Sequence, residues 1–392
     1  MSGSAFLYGS ARTPFGRFGG GLAGIRPDDL AAGVIRGLLT GLDPGVIDEV
    51  VWGNANGAGE ENRNVARMAA LLAGLPVSVP GTTVNRLCGS SLDAAMTGSR
   101  MIETGDAEIV LTGGVESMTR APWVLPKPSR AFPAGDVTAV STTLGWRLVN
   151  PAMPKEWTVS LGEANEQLRE RFGISRERQD AFAVRSHRLA HTAWEQGFYD
   201  DLVLPVPGTD LTRDESVRPG TSVEALAALK PAFRADGTIT AGNASPLSDG
   251  AGAVLLGSER AADVLGRTPI ARIAGRGTAA LDPRMFGYAP VEAADLALRR
   301  AGVGWGRVGA VELNEAFAVQ ALACVDAWGV DPGIVNTRGG AIAIGHPLGA
   351  SGSRVLGTLA KVLVERGERW GVAALCIGVG QGLAVVLENV RI

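Results

Sequence analysis

Along the first 120 residues, short apolar runs of strand length alternate with segments whose apolar residues recur every three or four positions. Asp48 to Trp52, Thr82 to Leu87 and Glu108 to Gly113 read as strands. Pro27 to Leu39, Asn64 to Ala73 and Ser91 to Glu103 read as helices with one apolar face. Pro27 stands at an early helical position, where a missing N–H costs nothing. Ahead of these, Ala11–Gly21 reads as a loop leaving a first strand. Strands and helices in strict alternation predict a layered α/β unit.

The same order recurs near the C-terminus. Val308 to Leu313 reads as a strand and Val319 to Trp328 as a helix; a glycine-rich stretch, Val335 to Gly352, leads into a helix over Ser353 to Glu365, and Val372 to Ile377 closes as a strand. The two regions share little identity, but element order and lengths repeat, which predicts a duplicated α/β half. With Ala251 to Gly257 and Ile270 to Ala274 taken as the start of the second half, the expected division is 1–119, 120–245 and 246–392. The middle segment differs in character: Pro122, Pro126, Pro128, Pro133, Pro151 and Pro154 interrupt regular structure, and Ser175 to Gln196 is a strongly charged helix. It is expected to be an inserted loop domain covering one face of the core and supplying substrate contacts.

Composition narrows the function classes. With 392 residues, 46% hydrophobic, 20% charged and a net charge of −3, the chain supports a large core and offers no broad positive field for nucleic acid or an anionic membrane. Three cysteines, Cys88, Cys324 and Cys376, cannot build a disulfide framework and suit a reducing compartment. No apolar run reaches the ~18 residues of a membrane span. Met1–Tyr8 lacks the pattern of a secretory signal, and the C-terminal residues carry no peroxisomal address, so a cytoplasmic location is expected. The 54 glycines cluster at the ends of apolar segments, as tight turns and close backbone approaches require.

Four stretches carry candidate chemistry. Cys88 sits where the strand-like Thr82–Leu87 meets a helix; unpaired N–H groups and the positive end of the helix dipole there favour thiolate, the form a nucleophile needs. Taken alone, it also reads as a small buried hydrophobe beside turn residues. His346, one of three histidines, precedes a helix of the second half much as Cys88 does in the first, so packed halves would let imidazole take the thiol proton. Alone, it also reads as a histidine satisfied by turn backbone. Cys376 ends a strand and enters the turn Gly378-Val379-Gly380, whose backbone N–H groups are able to meet an oxyanion while the thiol exchanges a proton with carbon. Asn314 and Glu315 directly follow a strand, where ligands sit in α/β folds; N-capping is the other reading of Asn314.

Together, Asn85–Ser90, Asn314–Ala318, Gly345–Gly352 and Cys376–Gly380 closely resemble the motifs of the thiolases, in the family's order and across essentially the whole chain. Glu60–Met68 and Thr142–Pro151 are similar to the branch acting on 3-oxoadipyl-CoA. The resemblance implies a fold of duplicated βαβαβαββ halves packed as five α-β-α-β-α layers. It also implies CoA-dependent cleavage of a 3-oxoacyl-CoA through an acyl-enzyme on Cys88. His346 would be the base and Cys376 the proton donor to the departing carbanion. One oxyanion hole would use His346 and a water held by Asn314, the other the N–H groups of Cys88 and Gly378. By the same resemblance Ser245 lies near the pantetheine, Phe317 lines that tunnel and Arg218 lies near the nucleotide. CoA is then a substrate, with no cofactor or metal expected, and the enzyme a homodimer or homotetramer. Ser91 stands where many members have glycine, Arg338 where asparagine is usual and Val159 where a methionine contacts pantetheine.

A six-carbon dioyl substrate would need a cation for its free carboxylate; Arg120, Arg130, Arg147 and Lys155 are the candidates. Within the family the alternatives are an acetyl-CoA acetyltransferase or a general 3-ketoacyl-CoA thiolase. A cysteine hydrolase would share Cys88, His346 and Asn314 but would not require Cys376 in a glycine turn. A ketosynthase typically needs a second active-site histidine, and a catalytically silent lipid-binding relative would not require both cysteines. His187 and His191 stand four apart, as some zinc ligands do, but without a third ligand nearby they are expected on a solvated helix face. Cys324 reads as core.

Overall fold

A computed structural model describes residues 3–392; Met1 and Ser2, part of the expected first unit, lie outside the described residues. The first half runs β1 (Phe6–Arg12), α1 (Pro27–Leu38), β2 (Glu49–Gly53), α2 (Val65–Leu72), β3 (Gly81–Val84), α3 (Ser90–Thr104) and β4 (Ile109–Ser117). The insertion carries α4 (Leu161–Phe172) and α5 (Arg176–Glu195), after which β5 (Ser248–Gly257) returns to the core. The second half runs β6 (Ala271–Ala280), α6 (Ala289–Ala301), β7 (Val308–Leu313), α7 (Ala318–Trp328), α8 (Ser351–Arg366), β8 (Trp370–Ile377) and β9 (Gln381–Asn389).

Strand pairing repeats as the elements do. The order is β3-β2-β4-β5-β1 in the first half and β7-β8-β9-β6 in the second, where a single parallel bridge, Val311 to Val335, stands in for the strand beyond β7. A short antiparallel contact, Phe6 to Arg272 and Leu7 to Ala271, joins the ladders. The boundary expected before β5 is therefore corrected: β5 pairs antiparallel with β1 and with β4, and the second half begins at β6. The apolar run Ala251–Gly257 has no feature that distinguishes a first strand from a last one, since both are buried between neighbours.

The halves stack as five layers. α1 and α2 cover one sheet, α6 covers the other with α7 beside it, and α3 and α8 lie between the sheets and touch each other. Leu92, Met96 and Ile102 of α3 share one apolar cluster with Val355, Leu356, Leu359 and Leu363 of α8. Helices whose first turns are buried against each other need close approaches. A side chain at Gly352 would collide with the backbone of Leu92. Ser91, the departure from glycine, has a use here: its Oγ accepts the Ser353 N–H at 3.0 Å, satisfying an orphan donor in the first turn of α8.

The insertion is tied to the core by a buried ion pair. Arg12, at the end of β1, donates to both oxygens of Asp214 at 2.6 and 2.8 Å; Asp214 also accepts Phe15 N–H and Trp194 Nε1–H. The guanidinium lies 4.9 Å from the Phe15 ring centre and 5.0 Å from that of Tyr199. His187 corrects the expected solvated face: it is buried, its Nδ1 accepts the Arg218 N–H at 3.2 Å, and burial pushes its pKa down to about 4. Among the described residues no three metal-ligating side chains cluster, and no helix is long and apolar enough to cross a membrane.

Replacing Asp214 by alanine strands the Arg12 charge and two donors in the interior. The expected loss of stability is about 3–5 kcal/mol, read as a lower urea midpoint at unchanged slope.

Candidate active site

The strand expected over Thr82–Leu87 stops at Val84, because the chain must turn sharply to present Cys88. Leu87 takes φ +48°, a left-handed conformation a branched side chain rarely adopts, and Asn85 holds it there: its Oδ1 accepts the Leu87 N–H at 2.9 Å and its Nδ2 donates to the Ala55 carbonyl. Ser90 completes the turn, accepting from Arg86 N and donating to the Leu87 carbonyl. Cys88 thus enters α3, which has no side-chain N-cap.

The N–H groups of Cys88 and Gly378 both act on the sulfur and favour its thiolate, yet burial outweighs them and pushes the thiol up to about 12. The expectation of a resting thiolate is corrected on that ground. Burial, reinforced by the Arg354 charge, pushes His346 down to about 3. Both groups are neutral at rest, and a neutral imidazole is the form able to accept a proton.

His346 is oriented by its own turn. Its Nδ1 lies 2.6 Å from Ser351 Oγ, which also lies 3.2 Å from the Pro347 carbonyl. With the hydroxyl donating to that carbonyl, Nδ1–H donates to Ser351 and Nε2 keeps a free lone pair. Asn314 Nδ2 stands 3.4 Å from both ring nitrogens, while Asn314 Oδ1 accepts from Arg354 at 3.1 Å. The N-cap reading of Asn314 fails, since α7 is preceded by Phe317 and has no side-chain cap. Arg354 also meets Glu312 at 3.4 Å; both are buried. Glu315 is occupied structurally, accepting from Ser186 Oγ, Asn336 Nδ2 and Ile342 N.

The turn Leu87–Gly89 packs on the turn Leu348–Ala350 and against β8. Cys376 is fully buried on β8, and burial above all holds its thiol well above the usual range, with the nearby Cys88 sulfur further opposing a second negative charge. A cavity of about 90 Å³ opens at Cys88. His346 and Cys376 are not on its wall; Leu348 and Gly378, two residues beyond each, are. Thr142 to Arg147 of the insertion close the other side. Trp146 donates Nε1–H to the Val159 carbonyl at 3.1 Å and lays its ring so close to Gly378 that a Cβ there would come within 2.9 Å.

Ser245 donates to the Ala316 carbonyl through Oγ and through its backbone N–H, each at 3.0 Å, and neighbouring Ala244 pairs with Phe317. Phe317 shares an apolar cluster with Cys376 and, partly buried, Val159. Arg218 is exposed on a loop held by His187, apart from the Cys88 cavity. Cys324 is core, donating to the Gly287 carbonyl.

The sequence reading missed Glu116. Buried beside Cys88 at the end of β4, it accepts from the N–H groups of Ala55, Asn56 and Gly349, and burial pushes its pKa up to about 7. The repeat held the signal for it, since Glu116 ends β4 as Cys376 ends β8.

Residues 6–260 match the family description "Thiolase, N-terminal domain" and residues 267–389 match "Thiolase, C-terminal domain". A beta-ketoadipyl-CoA thiolase of Escherichia coli is 48% identical over 98% of this chain and 99% of its own. An acetyl-CoA acetyltransferase of Pseudomonas aeruginosa is 45% identical over 98% of each. The structure of human mitochondrial 3-ketoacyl-CoA thiolase in complex with CoA superposes with a TM-score of 0.92 at 36% identity, covering 99% of this chain and 98% of that one. With both halves matched in order over nearly its whole length, the chain belongs to the thiolase family.

Proposed function

We propose that the enzyme cleaves 3-oxoadipyl-CoA with CoA, giving succinyl-CoA and acetyl-CoA, and that the acyl group is carried on Cys88. The observation that carries this reading is the Cys88 turn: a buried thiol flanked by the N–H groups of Cys88 and Gly378, on a cavity whose far wall is Thr142–Arg147. The names of the similar beta-ketoadipyl-CoA thiolases support the choice of acyl group. CoA is a substrate in this reading, not a resident cofactor. A homodimer or homotetramer fits the exposed Met68, Leu71, Leu72 and Val77 near edge strand β3, and a cytoplasmic location belongs to the same reading.

The thiol proton of Cys88 passes to His346 Nε2 as Sγ attacks the C3 carbonyl. The alkoxide then collapses, breaking C2–C3, and Cys376 donates its proton to the C2 carbanion, releasing acetyl-CoA. The imidazolium proton restores the Cys376 thiol. In the second half, CoA gives its thiol proton to His346 and attacks the thioester; Cys88 leaves and takes that proton back. The Cys88 and Gly378 N–H groups bind one oxyanion, while His346 and a water held by Asn314 bind the other. Two thioester steps replace one difficult carbon–carbon cleavage, each with donors already in place. The high resting pKa of Cys88 costs little here, because the thiol proton passes to His346 as Sγ bonds to C3, so the charge develops on the oxyanion that those donors bind rather than on a free thiolate.

The acetyl-CoA acetyltransferase reading has the 45% identical relative in its favour. Comparing kcat/KM for thiolysis of 3-oxoadipyl-CoA, acetoacetyl-CoA and a long-chain 3-oxoacyl-CoA decides between them; a preference for acetoacetyl-CoA overturns the proposal. Cys88→Ser is expected to lower thiolysis by at least about 10³-fold, and mass spectrometry of the wild-type enzyme mixed with substrate in the absence of CoA should find an acyl adduct on Cys88. Ser351→Ala, which frees the His346 ring, is expected to cut kcat roughly tenfold with the fold intact; an unchanged kcat would remove Ser351 from the orientation of the base.

A further inference from the structure

The cavity at Cys88 has a charged residue whose position the chemistry above does not use. Among the described residues, Arg147 is the sole lysine or arginine on its wall. The other cations expected to meet a carboxylate are placed elsewhere: Arg120 is committed to both oxygens of Glu60 and to the Ala23 carbonyl, Arg130 lines a separate surface depression, and Lys155 sits exposed on a one-turn helix. Arg147 is half-buried and makes one hydrogen bond, Nη2 to Asn56 Oδ1 at 2.8 Å. A guanidinium carries five N–H donors, so most of its fork is unspent.

Its placement is over-determined for a loop arginine. Asn56 is locked before it meets Arg147: its Nδ2 donates to the Thr142 carbonyl and Oγ1 at 3.1 and 3.0 Å, and its N–H to Glu116 at 3.1 Å. Trp146 is pinned by the Val159 carbonyl and by Gly378. The backbone is left-handed on both sides, at Gly145 with φ +80° and at Leu148 with φ +52°. Of six non-glycine residues with positive φ among the described residues, three follow or precede a proposed site group directly: Leu87 beside Cys88, Val379 beside Gly378 and Leu148 beside Arg147. Strain of this kind persists where the surroundings impose it, and it gathers at functional positions.

Glu116 opposes an incoming anion, being on the same wall. Its oxygens are turned onto three backbone N–H groups, which answers its charge and leaves Arg147 as the free cation of the cavity among the described residues. From this arrangement we propose that Arg147, held by Asn56, recognises the free terminal carboxylate of a dicarboxylic acyl thioester and sets the preference for such substrates. A planar fork matches a carboxylate with two parallel hydrogen bonds, which an acyl chain ending in methyl cannot return. This inference rests on the 3-oxoadipyl-CoA reading and names the residue that would enforce it.

The test uses the full-length enzyme with 3-oxoadipyl-CoA, its terminal methyl ester and acetoacetyl-CoA. The readout is the ratio of kcat/KM for the acid to that for the ester, in which general effects of a substitution cancel. Wild type should favour the acid. Arg147→Ala should lower the ratio by roughly 10- to 100-fold, the range of a charge-assisted contact. Arg147→Lys should fall between, keeping charge without the fork, and serves in place of the alanine variant should that one lose turnover of acetoacetyl-CoA as well. A wild-type preference that survives both substitutions overturns the role of Arg147 and leaves the substrate reading standing. A wild-type enzyme indifferent to the methyl ester overturns both.

Discussion

The structure depends on the contact between the first turns of α3 and α8, one from each half. No side chain wider than hydrogen fits at Gly352 against Leu92, and the Ser353 N–H finds its partner in Ser91 Oγ across the seam. A few residues away Gly349 N–H reaches Glu116, and a Cβ at Gly114 would strike the Gly349 carbonyl. Two helix N-termini packed backbone to backbone leave the turns ahead of them no freedom. The turn before α3 carries Cys88, and the segment before α8 carries His346, so the packing that closes the core also brings their loops together.

Burial at that seam sets the electrostatics. A thiol raised to about 12 and an imidazole lowered to about 3 make a neutral pair, opposite to the thiolate that helix-dipole reasoning favours. The dipole and the N–H groups are real contributions; desolvation is the larger one. The arrangement suits chemistry in which charge should arise only when substrate fills the site, because donors placed for an oxyanion reorganise little at that moment. The buried Arg354 serves the same end, fixing the Asn314 carboxamide by its oxygen so that its nitrogen faces the imidazole.

Much of this was legible in the sequence where one pattern decided one element. Val308–Leu313 is a strand as its apolar run implies, and α3 follows its apolar face from Ser90 to Thr104. The repeat exposed the duplication, since order and length survive when identity does not. Three things stayed hidden, each because it is decided by a partner distant in the chain. β5 joined the first half through pairing with β1 and β4, across more than a hundred residues. His187 turned inward because residue 218 offers it an N–H. The early end of β3 reflects the strained Leu87, which Asn85 and the packed α3 impose and which no local propensity favours.

Register shows how the two halves came to differ in use. Gly53 pairs with Gly114 in the first sheet and Leu313 with Ala374 in the second, so one step on Asn54 corresponds to Asn314, and two steps on Glu116 corresponds to Cys376. Asn54 donates to the Val115 carbonyl and Glu116 gathers three backbone N–H groups, so the first pair is spent on structure. Cys376 stands among Ala316, Phe317 and Val319, an apolar setting where a carboxylate would lack such partners and be costly to ionise. A thiol tolerates that setting uncharged and keeps its proton. The same end-of-strand position therefore holds an anchoring carboxylate where backbone donors converge and a protonated thiol where they do not, which is the state the proposed acid role of Cys376 requires.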